Sequence, residues 1–213
     1  MSVNITNVPV YVIPSISNIF SEKKTQYKYF TNVNFIDVDY LYDNSITELL
    51  NLTKLYLDCL IRLKRDISCP FILLENDTRM FDDNNIDNIS YPEDADAVYL
   101  GIINYGFDNI LANYNDSHSR DTILAKYITT DNIYRIYNML GMYAILYNNI
   151  DYVERSIYAI QYMLDLELHG SRGLASIMKY HNVYALNKSI FYHRTIPDTK
   201  NNISECNIRD IFY

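Results

Sequence analysis

The sequence contains no tryptophan and is poor in glycine and cysteine. Its 213 residues include 5 Gly and 3 Cys. The scarcity of glycine leaves no glycine-rich phosphate-binding loop near the start of the chain. Cys59, Cys69 and Cys206 form no CxxC pair and have no metal-ligand spacing, which is typical of reduced thiols. We therefore expect a cytosol-like compartment.

Blocks of basic residues and long apolar runs are also missing. The formal net charge is −8, and binding of nucleic acid depends on Lys and Arg contacts to phosphate. No apolar run approaches the roughly 18–20 residues that a membrane span needs. Residues 1–16 lack the basic start and long apolar centre of a signal peptide. We expect no nucleic-acid partner and no transmembrane segment, and the oligomeric state stays open.

Tyrosine, asparagine and isoleucine are abundant, with 22 Tyr in the chain. Codons rich in A and T encode this composition, which indicates a viral, protozoan or low-GC bacterial source. The expected location is cytoplasmic, in the host cytoplasm if the source is viral. The length suits one α/β domain with a sizeable core.

The most informative stretch is residues 70–80, PFILLENDTRM. An unbroken apolar run over residues 71–74 predicts a strand buried on both faces. Glu75 and Asp77 come directly after it, at the end where ligands bind in open α/β sheets. Two carboxylates with one residue between them suit Mg²⁺ or Mn²⁺, which neutralises a diphosphate. The alternative is a plain polar turn in which Asp77 caps the residues after it.

The remaining pattern predicts alternating strands and helices. A capping box of Ser45 and Glu48 predicts the start of a helix that runs to about residue 65. The other predicted segments are strands at 8–13, 33–38 and 183–191, two short strands or alternatively a helix within 133–147, helices at 151–166 and 174–180, and a turn or short helix at 122–127. A second acidic triplet, residues 94–96, enters a strand instead of leaving one. It is therefore predicted at the opposite edge of the sheet if the strands are parallel.

This order of elements resembles the GT-A fold of nucleotide-sugar glycosyltransferases. Residues 52–80 are similar to the helix-to-DxD segment of glycogenin-like enzymes. The pair ILLENDTRMF and DADAVYLGI is similar to the family of collagen galactosyltransferases and lipooligosaccharide transferases. The chain also looks like the small N-terminal glycosyltransferase domain of a multidomain chlorella-virus protein. The resemblance implies an α/β, GT-A type (Rossmann-like) single domain over residues 1–213, with a central mixed β-sheet flanked by helices. That this domain is the N-terminal part of a longer protein stays open.

The resemblance assigns roles to the acidic motif. Glu75, Asn76 and Asp77 take the place of the DxD motif, and Asp77 is the expected direct ligand of the metal. Glu75 is one methylene longer than the usual Asp, so it binds the metal through water or holds the ribose. Asn76 faces the ribose.

The resemblance also implies residues around the donor nucleotide. Ile13, Pro14 and Ser15 match the end of the first strand that lines the uracil, and Lys54 matches a basic residue that reaches the donor. A late histidine often completes the metal site. Among His169, His181 and His193 we favour His193, which follows a strand and has Arg194 beside it to contact phosphate.

These assignments predict transfer of a sugar from a UDP-sugar to a glycan or protein-linked glycan, with Mn²⁺ or Mg²⁺ as cofactor. Inverting enzymes need a carboxylate base. In enzymes of this kind the base usually lies at the start of the late helix, and residues 169–173, which match that position, contain no acidic residue. The resemblance therefore favours a retaining mechanism. One alternative is a metal-dependent nucleotidyltransferase, although the glycine-rich loop it usually needs is absent. Another is a non-enzymatic viral interaction module with a tyrosine-rich contact surface.

Overall fold

The computed structural model describes residues 2–3, 5–13, 27, 29–36, 42–81, 89–103, 122–128, 132–194, 199–200, 202–203 and 206–209. The helices are α1 Glu48–Asp66, α2 Ile150–Asp165 and α3 Gly170–Ile177, with 3₁₀ turns at Ile5–Asn7 and Met178–Tyr180. The strands are β1 Ser2–Val3, β2 Val10–Val12, β3 Val33–Phe35, β4 Phe71–Leu74, β5 Thr78–Met80, β6 Ile89–Ser90, β7 Ala97–Tyr99, β8 Ile102–Ile103, β9 Thr122–Ile128, β10 Ile133–Asn138, β11 Ala144–Tyr147, β12 Val183–Leu186, β13 Phe191–His193, β14 Thr199–Lys200 and β15 Asn207–Arg209.

A mixed sheet of nine strands organises the fold, in the order β15-β9-β10-β12-β7-β11-β4-β2-β3. Strand β2 is parallel to both β3 and β4. Strand β11 is antiparallel to both β4 and β7, so β4 and β7 run in the same direction. The predicted α/β class with a mixed central sheet and packed helices is confirmed. No helix in the described ranges is long and apolar enough to cross a membrane.

Strand β4 lies at the centre of the hydrophobic core because all four of its residues are buried. Phe71 and Leu73 belong to the cluster that contains the buried faces of the helices. Ile72 and Leu74 belong to a second cluster on the other face of the sheet. Since successive side chains of a strand point to opposite faces, this strand needs apolar residues at every position. The predicted two-sided burial is confirmed.

The two acidic triplets lie at opposite edges of the sheet, as predicted. Glu75 and Asp77 follow β4, whereas Asp94 and Asp96 precede the parallel strand β7. Asp96 serves the structure of its own edge, where its carboxylate accepts from Asn182 N at 2.8 Å and from Asn149 Nδ2 at 2.7 Å.

The helix starts differ from the predicted ones. Thr47, not Ser45, is the N-cap of α1, and its Oγ1 accepts from Leu50 N at 3.3 Å. Ser45 instead donates from its backbone N to the Asp43 carboxylate at 2.9 Å. This local turn holds Ser45 outside the helix, so the capping-box prediction is wrong. Helix α2 is likewise capped by Asn149.

Two other predicted assignments also change. Residues 122–127, predicted as a turn or short helix, lie in β9, which pairs with β10 and β15. The predicted strand 183–191 is two strands, since β12 joins the main sheet and β13 pairs with β5. Long-range pairing decides both cases, and it leaves no local signal. The strands predicted at 8–13 and 33–38 are shorter, and residues 37–38 of the second lie outside the described residues.

Candidate active site

The acidic motif forms a turn at the C-terminal end of β4. The backbone N of Glu75 donates to the Tyr143 carbonyl at 2.8 Å, which extends the pairing of β4 with β11 by one residue. The Thr78 N then donates to the Glu75 carbonyl at 3.0 Å and closes the turn. Asn76 and Asp77 occupy its middle and are partly exposed. The motif is therefore fixed by backbone hydrogen bonds and remains open to a ligand.

His193 is brought to this turn by the pairing of β5 with β13. Thr78 and His193 are partners in this ladder, and the Arg194 N donates to the Asp77 carbonyl at 3.0 Å. His193 Nε2 lies 3.2 Å from Glu75 Oε2, and the two side chains are 10% and 19% exposed. Of the histidines considered from the sequence, His193 is the one in direct contact with the motif.

Tyr143 contacts both Glu75 and His193 from the neighbouring segment of the sheet. Its ring packs edge-on against the His193 ring, with centroids 5.6 Å apart. Its carbonyl accepts from Thr78 Oγ1 at 3.0 Å as well as from Glu75 N. Burial, with a smaller contribution from the charge of Glu75, raises the Tyr143 pKa well above its usual value. Tyr143 is thus a neutral structural support for both Glu75 and His193.

The close approach of Tyr143 requires a glycine at position 101. A Cβ placed on Gly101 would lie 2.4 Å from the Tyr143 ring. The Tyr143 hydroxyl also donates to the Ile102 carbonyl at 3.2 Å. Sequence reasoning missed Tyr143, because neither its spacing nor its neighbours distinguish it from the many other tyrosines. Gly101 can be noticed in the sequence at the end of the predicted strand, but nothing in the sequence shows that Tyr143 packs against it.

His169 lies at the same edge of the sheet, on the helical side. It is the N-cap of α3, and its Nδ1 accepts from Ser171 N at 3.4 Å and lies 2.6 Å from Ser171 Oγ. Gly170 N donates to Thr53 Oγ1 of α1 at 3.2 Å. Burial lowers the His169 pKa, and the charge of Glu75 opposes that shift in part. Its role as a helix cap was not predicted.

Only some of the other predicted site residues lie near the acidic turn. Ile13 is buried, and its N donates to the Leu74 carbonyl at 2.9 Å, so it lies beside the start of the motif. Pro14 and Ser15 lie outside the described residues. Lys54 is half-exposed and pairs with Asp43, with Nζ 3.4 Å from Oδ2.

Asn76 lies within the turn, and Arg194 lies beside it. Arg194 is exposed next to His193. Asn76 accepts from Arg79 Nη1 through its carbonyl at 3.2 Å. His181, in contrast, lies 3.5 Å from Asp96 through its Nδ1, and so belongs to the opposite edge of the sheet.

The donor atoms at the turn fit a cation in part. Two ligands of an octahedral ion at about 2.1 Å stand about 3 Å apart, close to the 3.2 Å between Glu75 Oε2 and His193 Nε2. Among the described residues, no group of three or more His, Cys, Asp or Glu side chains is placed to hold a metal. Mg²⁺ commonly takes one or two protein ligands and completes its shell with water and substrate phosphates. The pair suits that kind of site and not a cage made only of protein.

Comparisons with known proteins leave the function open. No protein-family model matches the sequence, and no curated protein matches it either. Among solved structures, the chain is similar to CTP:phosphocholine cytidylyltransferase from Streptococcus pneumoniae, with a TM-score of 0.40 and 10% sequence identity. That similarity covers 88% of this chain and 72% of the other.

Proposed function

We propose that this protein is a metal-dependent glycosyltransferase that moves a sugar from a UDP-sugar to a glycan or protein-linked glycan. The observation that carries the proposal is the contact between Glu75 and His193, 3.2 Å apart at the C-terminal end of β4. An acidic residue and a histidine, held together by elements distant in sequence, occupy the edge where open α/β sheets bind ligands. A plain turn does not require such a partner.

The charges at this edge explain why a cation is needed. Glu75 and Asp77 are both acidic, and a diphosphate placed beside them would be repelled. A bound Mn²⁺ or Mg²⁺ would stabilise the negative charge that develops on the departing diphosphate. Glu75, Asp77 and His193 are the residues proposed to hold it. Arg194, exposed beside His193, is proposed to contact phosphate.

The nucleoside would lie next to this pair. Ile13 continues β2 alongside Leu74, so the chain leaving β2 starts next to the acidic turn. We propose that Ile13, with Pro14 and Ser15, lines the uracil, and that Asn76 faces the ribose. Lys54 keeps its assignment as a donor-binding residue only if its ion pair with Asp43 opens.

A retaining mechanism accords with the late helix. The N-terminus of α3 carries His169 and no acidic residue in its first turn. With no carboxylate base in that first turn, the leaving phosphate is proposed to take the proton of the acceptor hydroxyl. The acceptor would then bind on the same side of the sugar as the departing diphosphate.

The decisive experiment measures nucleotide release. UDP-glucose, UDP-galactose and UDP-N-acetylglucosamine are each incubated with the protein and Mn²⁺, and free UDP is quantified. The expected result is slow, metal-dependent UDP release from one donor, reduced at least about 100-fold in Asp77→Asn, as for loss of a group that stabilises transition-state charge. The matched control is Asp94→Asn at the opposite edge, which should release UDP like the wild type.

The same assay separates the alternatives. Pyrophosphate release from UTP or CTP in the presence of a phosphorylated alcohol, without UDP release, would identify a nucleotidyltransferase. Absence of turnover and of binding for every nucleotide would contradict both enzyme proposals and favour the interaction module.

A further inference from the structure

His169 is held in one tautomer by the start of α3. A backbone N–H always donates, and the Ser171 N–H points to His169 Nδ1 at 3.4 Å. The Nδ1 atom is therefore the acceptor, and in the neutral ring the proton lies on Nε2. Burial lowers the pKa of His169, which keeps the ring neutral near pH 7. The ring thus presents an N–H donor on the side away from the helix.

The chain path places this donor at the edge of the acidic turn. Strand β11 is antiparallel to β4, so α2, which comes after it, returns to the edge where β4 ends. His169 comes directly after α2 and before α3. The hydrogen bond from Gly170 N to Thr53 Oγ1 fixes this corner against the early part of α1. His169 and Glu75 therefore lie at the same edge of the sheet.

The free side of the ring is suited to a ligand. The hydrogen bonds of the His169 ring within the described residues go to Ser171 through Nδ1. The side chain is half-buried, and Nε2 is not among the fully enclosed polar atoms that lack a partner, so this nitrogen is not sealed from solvent. A neutral donor near a carboxylate favours a hydroxyl over an anion, because a hydroxyl accepts from the ring without repulsion from Glu75.

We infer that His169 Nε2–H donates a hydrogen bond to a hydroxyl of the sugar carried by the nucleotide donor. The inference rests on the proposed function and adds a residue that recognises the transferred group. The acidic turn and His193 would hold the diphosphate end, and His169 would contact the sugar from the helical side. His169 is a binding residue in this account, and its cap to Ser171 sets the direction of its donor.

Three substitutions separate the two roles of His169. His169→Asn keeps the cap, since Asn is a preferred N-cap residue, but it is too short to reproduce the Nε2 donor. His169→Gln places an amide N–H near the Nε2 position but caps poorly. His169→Ala removes both. The probes are UDP and the UDP-sugar that releases UDP in the turnover assay, each titrated calorimetrically in the presence of Mn²⁺.

The expected result is a loss of preference for the sugar. In His169→Asn the affinity for the UDP-sugar falls about fivefold, the typical effect of one hydrogen bond, and the affinity for UDP is unchanged. His169→Gln binds the UDP-sugar almost as tightly as the wild type does, because it keeps the N–H donor. Its unfolding midpoint is as low as that of His169→Ala, because both variants lose the cap. Unfolding without ligand reports the cap alone.

Two results would overturn the inference, and they differ. If the wild type binds both probes and His169→Asn binds them equally well, His169 is a helix cap and not a sugar ligand. If the wild type binds neither probe with Mn²⁺, the proposed function itself fails and this inference fails with it.

Discussion

At the scale of single residues, Tyr143 and Gly101 support the contact between Glu75 and His193. The Tyr143 carbonyl accepts from Glu75 N at 2.8 Å, and its ring packs against His193. Nothing larger than glycine fits opposite that ring. The contact between the acidic turn and His193 therefore depends on a pair of residues that perform no chemistry.

Gly101→Ala tests this support. The new Cβ would lie 2.4 Å from the Tyr143 ring, so the ring must shift, and overpacking of this kind costs about 1–3 kcal/mol. The expected outcome is a lower free energy of unfolding in urea, together with weaker Mn²⁺-dependent nucleotide binding. The control is Ser68→Ala in the segment before β4, where the side chain is exposed. Equal stability of Gly101→Ala and the wild type would show that Tyr143 moves without cost.

The buried thiols give a second residue-scale prediction. Burial raises the pKa of Cys59 to about 12 and that of Cys69 to about 11. A raised thiol pKa means less thiolate, so about one Cys59 side chain in 10⁴ is ionised at pH 8. Since the thiolate is the reactive form, both should react with an aromatic disulfide reagent far more slowly in the native protein than in guanidinium.

The measurement uses a Cys206→Ser background, so that only Cys59 and Cys69 report. Raising the pH from 8 to 9 should increase the native rate about tenfold, because the thiolate fraction rises tenfold below the pKa. Rapid native labelling of both thiols at pH 8 would mean that they are exposed or activated.

At the scale of elements, α1 shows how a local turn displaces a predicted helix start. Thr47 caps the helix while Ser45 bonds to Asp43. The expected cost of Thr47→Ala is about 1 kcal/mol, measured as a decrease in the free energy of unfolding. Ser45→Ala is the matched control, with an expected loss of at most a few tenths of that value, because its hydrogen bonds are exposed. The reverse order of effects would restore the capping-box assignment.

The elements also show which parts of the fold can be predicted from sequence. Strand β4 is predictable because an apolar residue at every position of a strand requires two buried faces, and the structure places Phe71 and Ile72 on opposite faces. The polarity of the two acidic triplets is set by the same strand directions. The burial of β4 depends on residues close together in the chain, whereas the common direction of β4 and β7 depends on their pairing with the distant strand β11.

The meeting of Glu75 and His193 could be proposed from sequence only through resemblance. It is produced by the ladder between β5 and β13, and short strands that pair across about half of the chain carry no local pattern. The same reason explains why residues 183–191 read as one strand in the sequence and form two in the structure. The sequence presents His169 as a candidate metal ligand, but its bond to Ser171 is a feature of the folded helix start.

At the scale of the whole molecule, the sheet separates two acidic edges with different tasks. Asp96 satisfies backbone and side-chain donors at one edge, whereas Glu75 faces His193 at the other. The net charge of −8 adds a general repulsion against a free diphosphate. Binding of a nucleotide to this molecule should therefore depend on a divalent cation.

Thermal unfolding with UDP, in the presence and absence of Mn²⁺, tests this claim most directly. A ligand at 100 times its dissociation constant adds about 2.7 kcal/mol of stability, which raises the midpoint of a chain of this size by about 5–10 °C. The account predicts that shift only with Mn²⁺, its loss in Asp77→Asn and His193→Asn, and its retention in Asp94→Asn. An equal shift without metal, or one that survives both substitutions, would place the nucleotide elsewhere and contradict the account.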